Sequence, residues 1–196
     1  MGHQCCPIPT AILSNHTEFP VYFFDDYTEK MTTYTDKWKE LGLSFDAIAT
    51  GFLGSEAQIG IVMEIVQKLK AEKTFVVVDP VMGDHGHAYE TYTPEMCEQM
   101  KELVCMADVV LPNVTECCIL TDTPYREENW TRKELLNMAM MLRLMGAKSV
   151  VITGVREGSC YTNVVLEQGQ YDAKFIRTRS SGGERPGTGD VFSSVV

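Results

Sequence analysis

Short β-branched runs alternate along this chain with longer stretches in which apolar residues recur every three or four positions. That alternation predicts a parallel sheet covered by helices. Residues 45–50 read as a strand and 51–54 as the loop leaving it. Ser55 with Gln58 predicts a capping box, and Ile59, Val62, Ile65, Val66 and Leu69 then recur at helical spacing. The run 74–78 is almost wholly apolar, as a strand buried on both faces should be, and Asp79 ends it. Residues 80–92 form a loop rich in Gly, Asp and His. Thr93 caps the next helix with Pro94 at its first position, and Met96, Met100, Leu103 and Val104 are its core stripe. Residues 108–111 are a short strand stopped by Pro112-Asn113. Thr131 and Glu134 predict a second capping box, opening a helix through Leu135, Leu142 and Met145 that Gly146 ends. Residues 149–153 are the next strand, with Gly154 opening its exit loop, and 159–176 alternate as a hairpin or meander turning at Gln168-Gly169-Gln170. The early run Ala11-Ile12-Leu13 is a further short strand. No repeat, low-complexity tract or linker divides the chain, so one domain over residues 1–196 is expected.

Composition narrows the function classes. With 17 Lys and Arg against 27 Asp and Glu the net charge is -10, which repels a nucleic acid backbone or an anionic membrane. An anionic substrate would need local help from a metal ion and from backbone N–H groups. The seven cysteines contain no C-x-x-C, which removes the zinc-ribbon and redox motifs and leaves reduced thiols in a cytoplasmic core as the reading. No signal peptide or apolar run of spanning length is present, and the three N-x-[ST] sequons are discounted on that ground.

The chemistry-bearing residues gather at the C-terminal ends of the predicted strands, where open α/β sheets bind ligands. Asp79-Pro80-Val81-Met82-Gly83-Asp84 puts two carboxylates around a turn, able to hold Mg2+ through its waters or, equally, to act as turn and cap residues. Asn113 and Glu116 add an amide and a carboxylate at the next strand end. Read alone, Glu116 is a charge favoured by a helix N-terminus. In Gly187-Thr188-Gly189-Asp190 the two glycines allow a tight turn that aims N–H groups at one point. With a helix starting there the element is an anion site with Asp190 beside it as proton acceptor; the plain alternative is a glycine turn with Asp190 as N-cap. Ser14-Asn15-His16-Thr17 follows a strand and suits a small polar ring or a capped turn. His85 and His87 lack the further ligands a metal site needs.

Taken in order, Ser14 to Thr17, Gly51 to Gly54, Asp79 to Asp84 with Gly86 and Tyr89, Pro112-Asn113 with Glu116, Thr153-Gly154 and Gly187 to Asp190 resemble the ribokinase-like superfamily. Within it they resemble the pyridoxal/pyridoxine (vitamin B6) kinases. The resemblance implies a three-layer α/β/α fold, a mainly parallel central sheet flanked by helices, and ATP-dependent phosphorylation of the 5′-hydroxymethyl group of a B6 vitamer. It implies Asp190 as catalytic base, Gly187, Thr188 and Gly189 as anion hole, and Thr17, Glu18, Leu13 and Phe52 at the pyridine substrate. Asp79, Asn113, Glu116 and Thr153 would face ATP, Asp79, Asp84 and Glu116 would organise Mg2+, and Tyr89 would belong to a lid. A monovalent cation is a further cofactor the resemblance allows. ATP and the vitamer are the implied partners, with no nucleic acid or membrane, and the full-length enzyme is expected to be a cytoplasmic homodimer. Members of the family carry a strand and helix ahead of the region matching Met1 and helices beyond the G-T-G-D element, so a fold incomplete at both termini is expected. The competing readings are a hydroxymethylpyrimidine (phosphate) kinase on a similar scaffold and an inactive remnant that only binds ligand.

Overall fold

The computed structural model describes residues 2–15, 19–181 and 187–196. Ten strands and six helices follow one another among them. The main sheet has six strands in the order β10-β9-β8-β7-β4-β3. Its parallel part is β3 (Ala47–Thr50), β4 (Phe75–Val78), β7 (Val109–Val110) and β8 (Ser149–Glu157). The antiparallel strands β9 (Cys160–Leu166) and β10 (Lys174–Arg179) extend it on the β8 side. This is the expected mainly parallel sheet flanked by helices, with two antiparallel strands at one edge.

Alternation within β4 explains the layers. Val76 and Val78 point into the larger core with Ile59, Val62 and Val66 of α2 (Glu56–Leu69) and the apolar stripes of α3 (Pro94–Val104), α4 (Val114–Leu120) and α5 (Arg132–Met145). Val77 points the other way, joins Val109, Leu111 and Val151, and meets Phe192 of the short α6 (Thr188–Ser193). The helix caps are mostly as anticipated: Thr93 accepts the Met96 N–H behind Pro94, Thr131 and Glu134 form a capping box, and Gly146 follows α5 at φ 136°.

Four features depart from the expected pattern. Ser55 caps α2, but Gln58 does not return to it. Its side chain, 0% exposed, instead accepts the Gly54 N–H at 2.7 Å and donates to Thr10 O at 2.8 Å and Thr28 Oγ1 at 2.9 Å. One amide thereby ties together the loop after β3, the N-terminal segment and the start of α1 (Thr28–Glu40). Gly154 does not end β8, because pairing with β9 resumes beyond it and the irregularity between Ile152 and Val155 absorbs its left-handed φ of 70°. The loop 80–92 contains a small hairpin, β5 (Gly83–Asp84) with β6 (His87–Ala88). Finally, α1 and β2 (Phe24–Asp26), which pairs with β1 (Ala11–Leu13), were not marked by periodicity. The helix buries only Met31 and has no side-chain cap, so its pattern is nearly all polar.

Replacing Gln58 by Ala should leave three half-buried polar partners unmatched. A loss of about 2–3 kcal/mol is expected, read as a lower denaturant midpoint at unchanged slope. No helix among the described residues is long and apolar enough to cross a membrane.

Candidate active site

The polar residues singled out in the sequence stand at the C-terminal edge of the parallel strands because each strand's apolar run ends there. Asp79 follows β4, Asn113 follows β7 by way of Leu111-Pro112, and Thr153 lies in β8, bridged to Asn113 in parallel register. The Thr153 N–H donates to Pro112 O at 2.9 Å, which fixes these two strand ends together.

Asn113 is the N-cap of α4 and Glu116 its third residue, and the two form a reciprocal capping box. Asn113 Oδ1 accepts the Glu116 N–H at 2.9 Å, and Glu116 Oε2 accepts the Asn113 N–H at 2.7 Å. The remaining arms of the box reach sideways. Glu116 Oε1 accepts the Met82 N–H at 3.2 Å, and Asn113 Nδ2 donates to Gly83 O at 2.8 Å. Thr115 accepts the Gly86 N–H at 2.9 Å. The first turn of α4 is thus a template for residues 82–86, the segment that carries Asp84. Both oxygens of Glu116 are committed to backbone donors, so it acts on this loop from behind. Thr115 was not singled out in the sequence; a threonine between two cap residues has no signature until the loop it holds is seen.

Burial and mutual repulsion shape the electrostatics. Asp79 is 8% exposed, and desolvation followed by the nearby Asp190 charge raises its pKa to about 6, against a lowering by the Ser193 hydroxyl. Glu116, 4% exposed, is raised well above the usual carboxylate range, chiefly by burial, with Asp79 and Asp84 adding to the rise and the two backbone N–H bonds opposing it. Tyr89 is pushed up to about 12 by desolvation and then by Glu116, Asp84, Asp79 and Asp190. Four acidic side chains from three separated stretches therefore act on one another and on one phenol. Perturbed carboxylates gathered in this way at a sheet edge mark it as a candidate functional site.

Asp190 arrives from the far end of the chain on α6. Gly187, at φ 82°, is the N-cap, and the first intrahelical bond runs from the Val191 N–H to Gly187 O at 3.1 Å. The N–H groups of Thr188, Gly189 and Asp190 precede that bond and have no partner within the helix. A β-carbon on Gly187 would lie 3.7 Å from Asp190 Oδ2, so the carboxylate curls back over the glycine turn. Phe192 seats α6 on the sheet, and the Ser193 hydroxyl, beside Asp79, also donates to Asp190 O at 3.1 Å.

Leu13 and Phe52 fall in a second group. Thr10 Oγ1 donates to Phe52 O at 2.8 Å, and Gly54 packs against the Phe52 and Phe24 rings, so the β1–β2 hairpin leans on the loop after β3. Ser14 accepts the Phe23 N–H at 2.8 Å and Asn15 donates to Val21 O at 3.1 Å, shaping the hairpin connection. Thr17 and Glu18 lie outside the described residues. Among the described residues no group of three or more His, Cys, Asp or Glu is gathered closely enough to hold a metal directly, His85 and His87 included.

Residues 25–196 match the family model described as phosphomethylpyrimidine kinase. A Caenorhabditis elegans protein carrying a provisional pyridoxal kinase name is 31% identical over 164 residues, covering 78% of this chain and 48% of that protein. The chain thus spans about half the length of that curated relative. The crystal structure of a Bacteroides thetaiotaomicron protein described as a phosphomethylpyrimidine kinase, in a form with pyridoxal, superposes with a TM-score of 0.92 at 38% identity, over 99% of this chain and 68% of that one. Pyridoxal kinase from Leishmania donovani, in complex with ADP and pyridoxamine, has a TM-score of 0.77 at 25% identity, covering 95% of this chain and 68% of that one.

Proposed function

Since the chain belongs to the phosphomethylpyrimidine kinase family, we propose that it transfers the γ-phosphoryl group of ATP to the 5′-hydroxymethyl group of a vitamin B6-type pyridine. The observation that carries this reading is the position of the Asp190 carboxylate: folded over the Gly187 turn and within electrostatic reach of Asp79. A proton acceptor and a row of N–H groups without a partner within α6 then come together on this reading at the ligand edge of the sheet. The pyridoxal, ADP and pyridoxamine named for the similar structures support the choice of substrates.

In this mechanism Asp190 accepts the proton of the substrate hydroxyl as its oxygen bonds to the γ-phosphorus and the bond to ADP breaks. The N–H groups of Thr188, Gly189 and Asp190, at the turn that Gly187 makes, hold the transferring oxygens. Asn113 and Thr153, at the sheet edge, take the nucleotide side, Leu13 and Phe52 take the pyridine side, and Thr17 and Glu18 keep the substrate roles that the family resemblance implies. Tyr89, 43% exposed and anchored by its N–H to Met82 O at 2.9 Å, belongs to the covering segment.

The donors fit Mg2+ bound through its waters and the nucleotide's own oxygens, the usual manner for this ion. Asp79 and Asp84 would face that hydrated ion, and Glu116 would organise it by holding the loop between them. Its chemistry would be to neutralise phosphate charge. A monovalent cation at the same acidic edge, a homodimeric full-length enzyme and a cytoplasmic location belong to this reading as well.

A coupled ADP-release assay across pyridoxal, pyridoxine, pyridoxamine and hydroxymethylpyrimidine tests it. Turnover of the three pyridines well above the pyrimidine is expected. Preference for the pyrimidine would replace the substrate, and ligand-induced thermal stabilisation without any turnover would reduce the chain to a binding remnant.

A further inference from the structure

The tip of the β5–β6 hairpin is the two-residue turn His85-Gly86, with φ 49° and 83°. Two successive left-handed residues are what a type I′ hairpin turn requires, and glycine is favoured at such positions. Gly86 is constrained a second time. A β-carbon built on it would fall 2.4 Å from Cδ1 and 2.7 Å from Cε1 of Tyr125, so the phenol ring lies directly against the glycine backbone. On another side the Gly86 N–H is held by Thr115 Oγ1, a side chain only 2% exposed.

Tyr125 can serve as a fixed surface because its own loop is anchored. Trp130 is buried, its indole N–H donates to Arg126 O at 2.8 Å, and the Arg126 guanidinium stacks 4.1 Å from its ring centroid. Arg126 is also paired with Glu134 in the first turn of α5. The ring of Tyr125 packs in turn against the main core. By contrast β5 and β6 have two residues each, far too few to hold a hairpin by themselves. The placement of Asp84 before the turn and Tyr89 after it must therefore come from outside the hairpin.

We infer that Tyr125 is a positioning residue: its ring is the backstop that, with Thr115, sets the location of the loop bearing Asp84 and Tyr89. The consequence for catalysis rests on the kinase reading above; the structural part does not. The sequence-level motifs include Gly86 but give no reason for it, and the ring supplies one.

Hydrogen–deuterium exchange of residues 83–89 in the ligand-free protein, together with steady-state kinetics, tests the inference on Tyr125→Ala and Tyr125→Phe. Tyr125→Ala should speed exchange at Gly86 and Tyr89 by about tenfold or more, since these amides then open locally. It should also raise the KM for MgATP by about fivefold or more while leaving the KM for pyridoxal unchanged, because only the phosphate-side loop is released. Tyr125→Phe keeps the ring, losing only the hydroxyl's hydrogen bond with Thr115, and should stay much closer to wild type than Tyr125→Ala in both. Should Tyr125→Ala fail to fold, Tyr125→Leu retains apolar bulk without a flat face and should show the same exchange change. Exchange at wild-type rates in the Ala or Leu variant, or a Phe variant as impaired as Ala, would overturn the backstop. Faster exchange with an unchanged KM for MgATP in an active enzyme would overturn the positioning role. If wild type itself shows no turnover, the kinase reading has failed, and the exchange comparison alone decides the backstop.

Discussion

Asp190→Asn is expected to lower kcat by about 10²–10⁴-fold with the KM values for ATP and the vitamer roughly unchanged, as befits loss of a group that acts on a proton in the transition state. The asparagine amide matches the carboxylate in shape but cannot take the hydroxyl proton. The fold should not suffer. The side chain of Asp190 is exposed and caps no helix among the described residues, while the contacts that order this end of α6, from Ser193 and Ser194, go to its carbonyl oxygen. The loss is read from ADP release under saturating substrates, with circular dichroism as the control for folding. Wild-type turnover in the variant would remove Asp190 from its assigned role.

Asp79→Asn should have the second largest effect, and in two opposite directions. Burial and the neighbouring Asp190 hold the Asp79 pKa at about 6 in the folded chain, against an ordinary value of 3.8. The folded state thus binds this proton more tightly than the unfolded state does. Its contribution to stability is complete below pH 3.8 and is lost as pH rises through about 6. At pH 8 in the presence of a chelator the wild-type protein carries the full cost of a buried charge, at most about 2–3 kcal/mol for a shift of this size. The neutral asparagine avoids that cost and still offers an oxygen to Ser193. Asp79→Asn should therefore melt at a higher temperature than wild type at pH 8, and the difference should vanish near pH 4. Activity should move the other way, with kcat/KM for MgATP falling by about tenfold or more, the usual relation at a site whose charges are kept for function. Melting curves at the two pH values decide it; a variant less stable than wild type at pH 8 would show that the carboxylate is not strained by its surroundings.

The parts of this structure that were legible in the sequence are those where one residue type answers one local need. The apolar run ending at Val78 reads as a buried strand and is one, Thr93-Pro94 and Thr131 with Glu134 do begin helices, and Asp79 and Asn113 do follow successive strands, whereas Thr153 lies within β8, where only the apolar run ends. What escaped depends on contacts between distant segments. Gln58 looked like half of a capping box, yet its amide is taken by Gly54, Thr10 and Thr28, partners as much as 48 positions away. Gly154 looked like a stop, because nothing local tells that β9 will pair on both sides of it. The polar helix α1 buries one side chain and so leaves almost no periodic trace. At the site, the carboxylates were visible as residue types, but not that Glu116 spends both oxygens on backbone, nor that Thr115 and Tyr125 support the loop between Asp79 and Tyr89.

The most direct measurement follows the phosphoryl group itself. Phosphorus NMR of the protein incubated with MgATP and pyridoxal should show a new phosphomonoester on the pyridine growing in step with ADP, and growing at least about a hundredfold more slowly with Asp190→Asn. ATP left intact by wild type, or cleaved only to inorganic phosphate with the vitamer unmodified, would contradict the account.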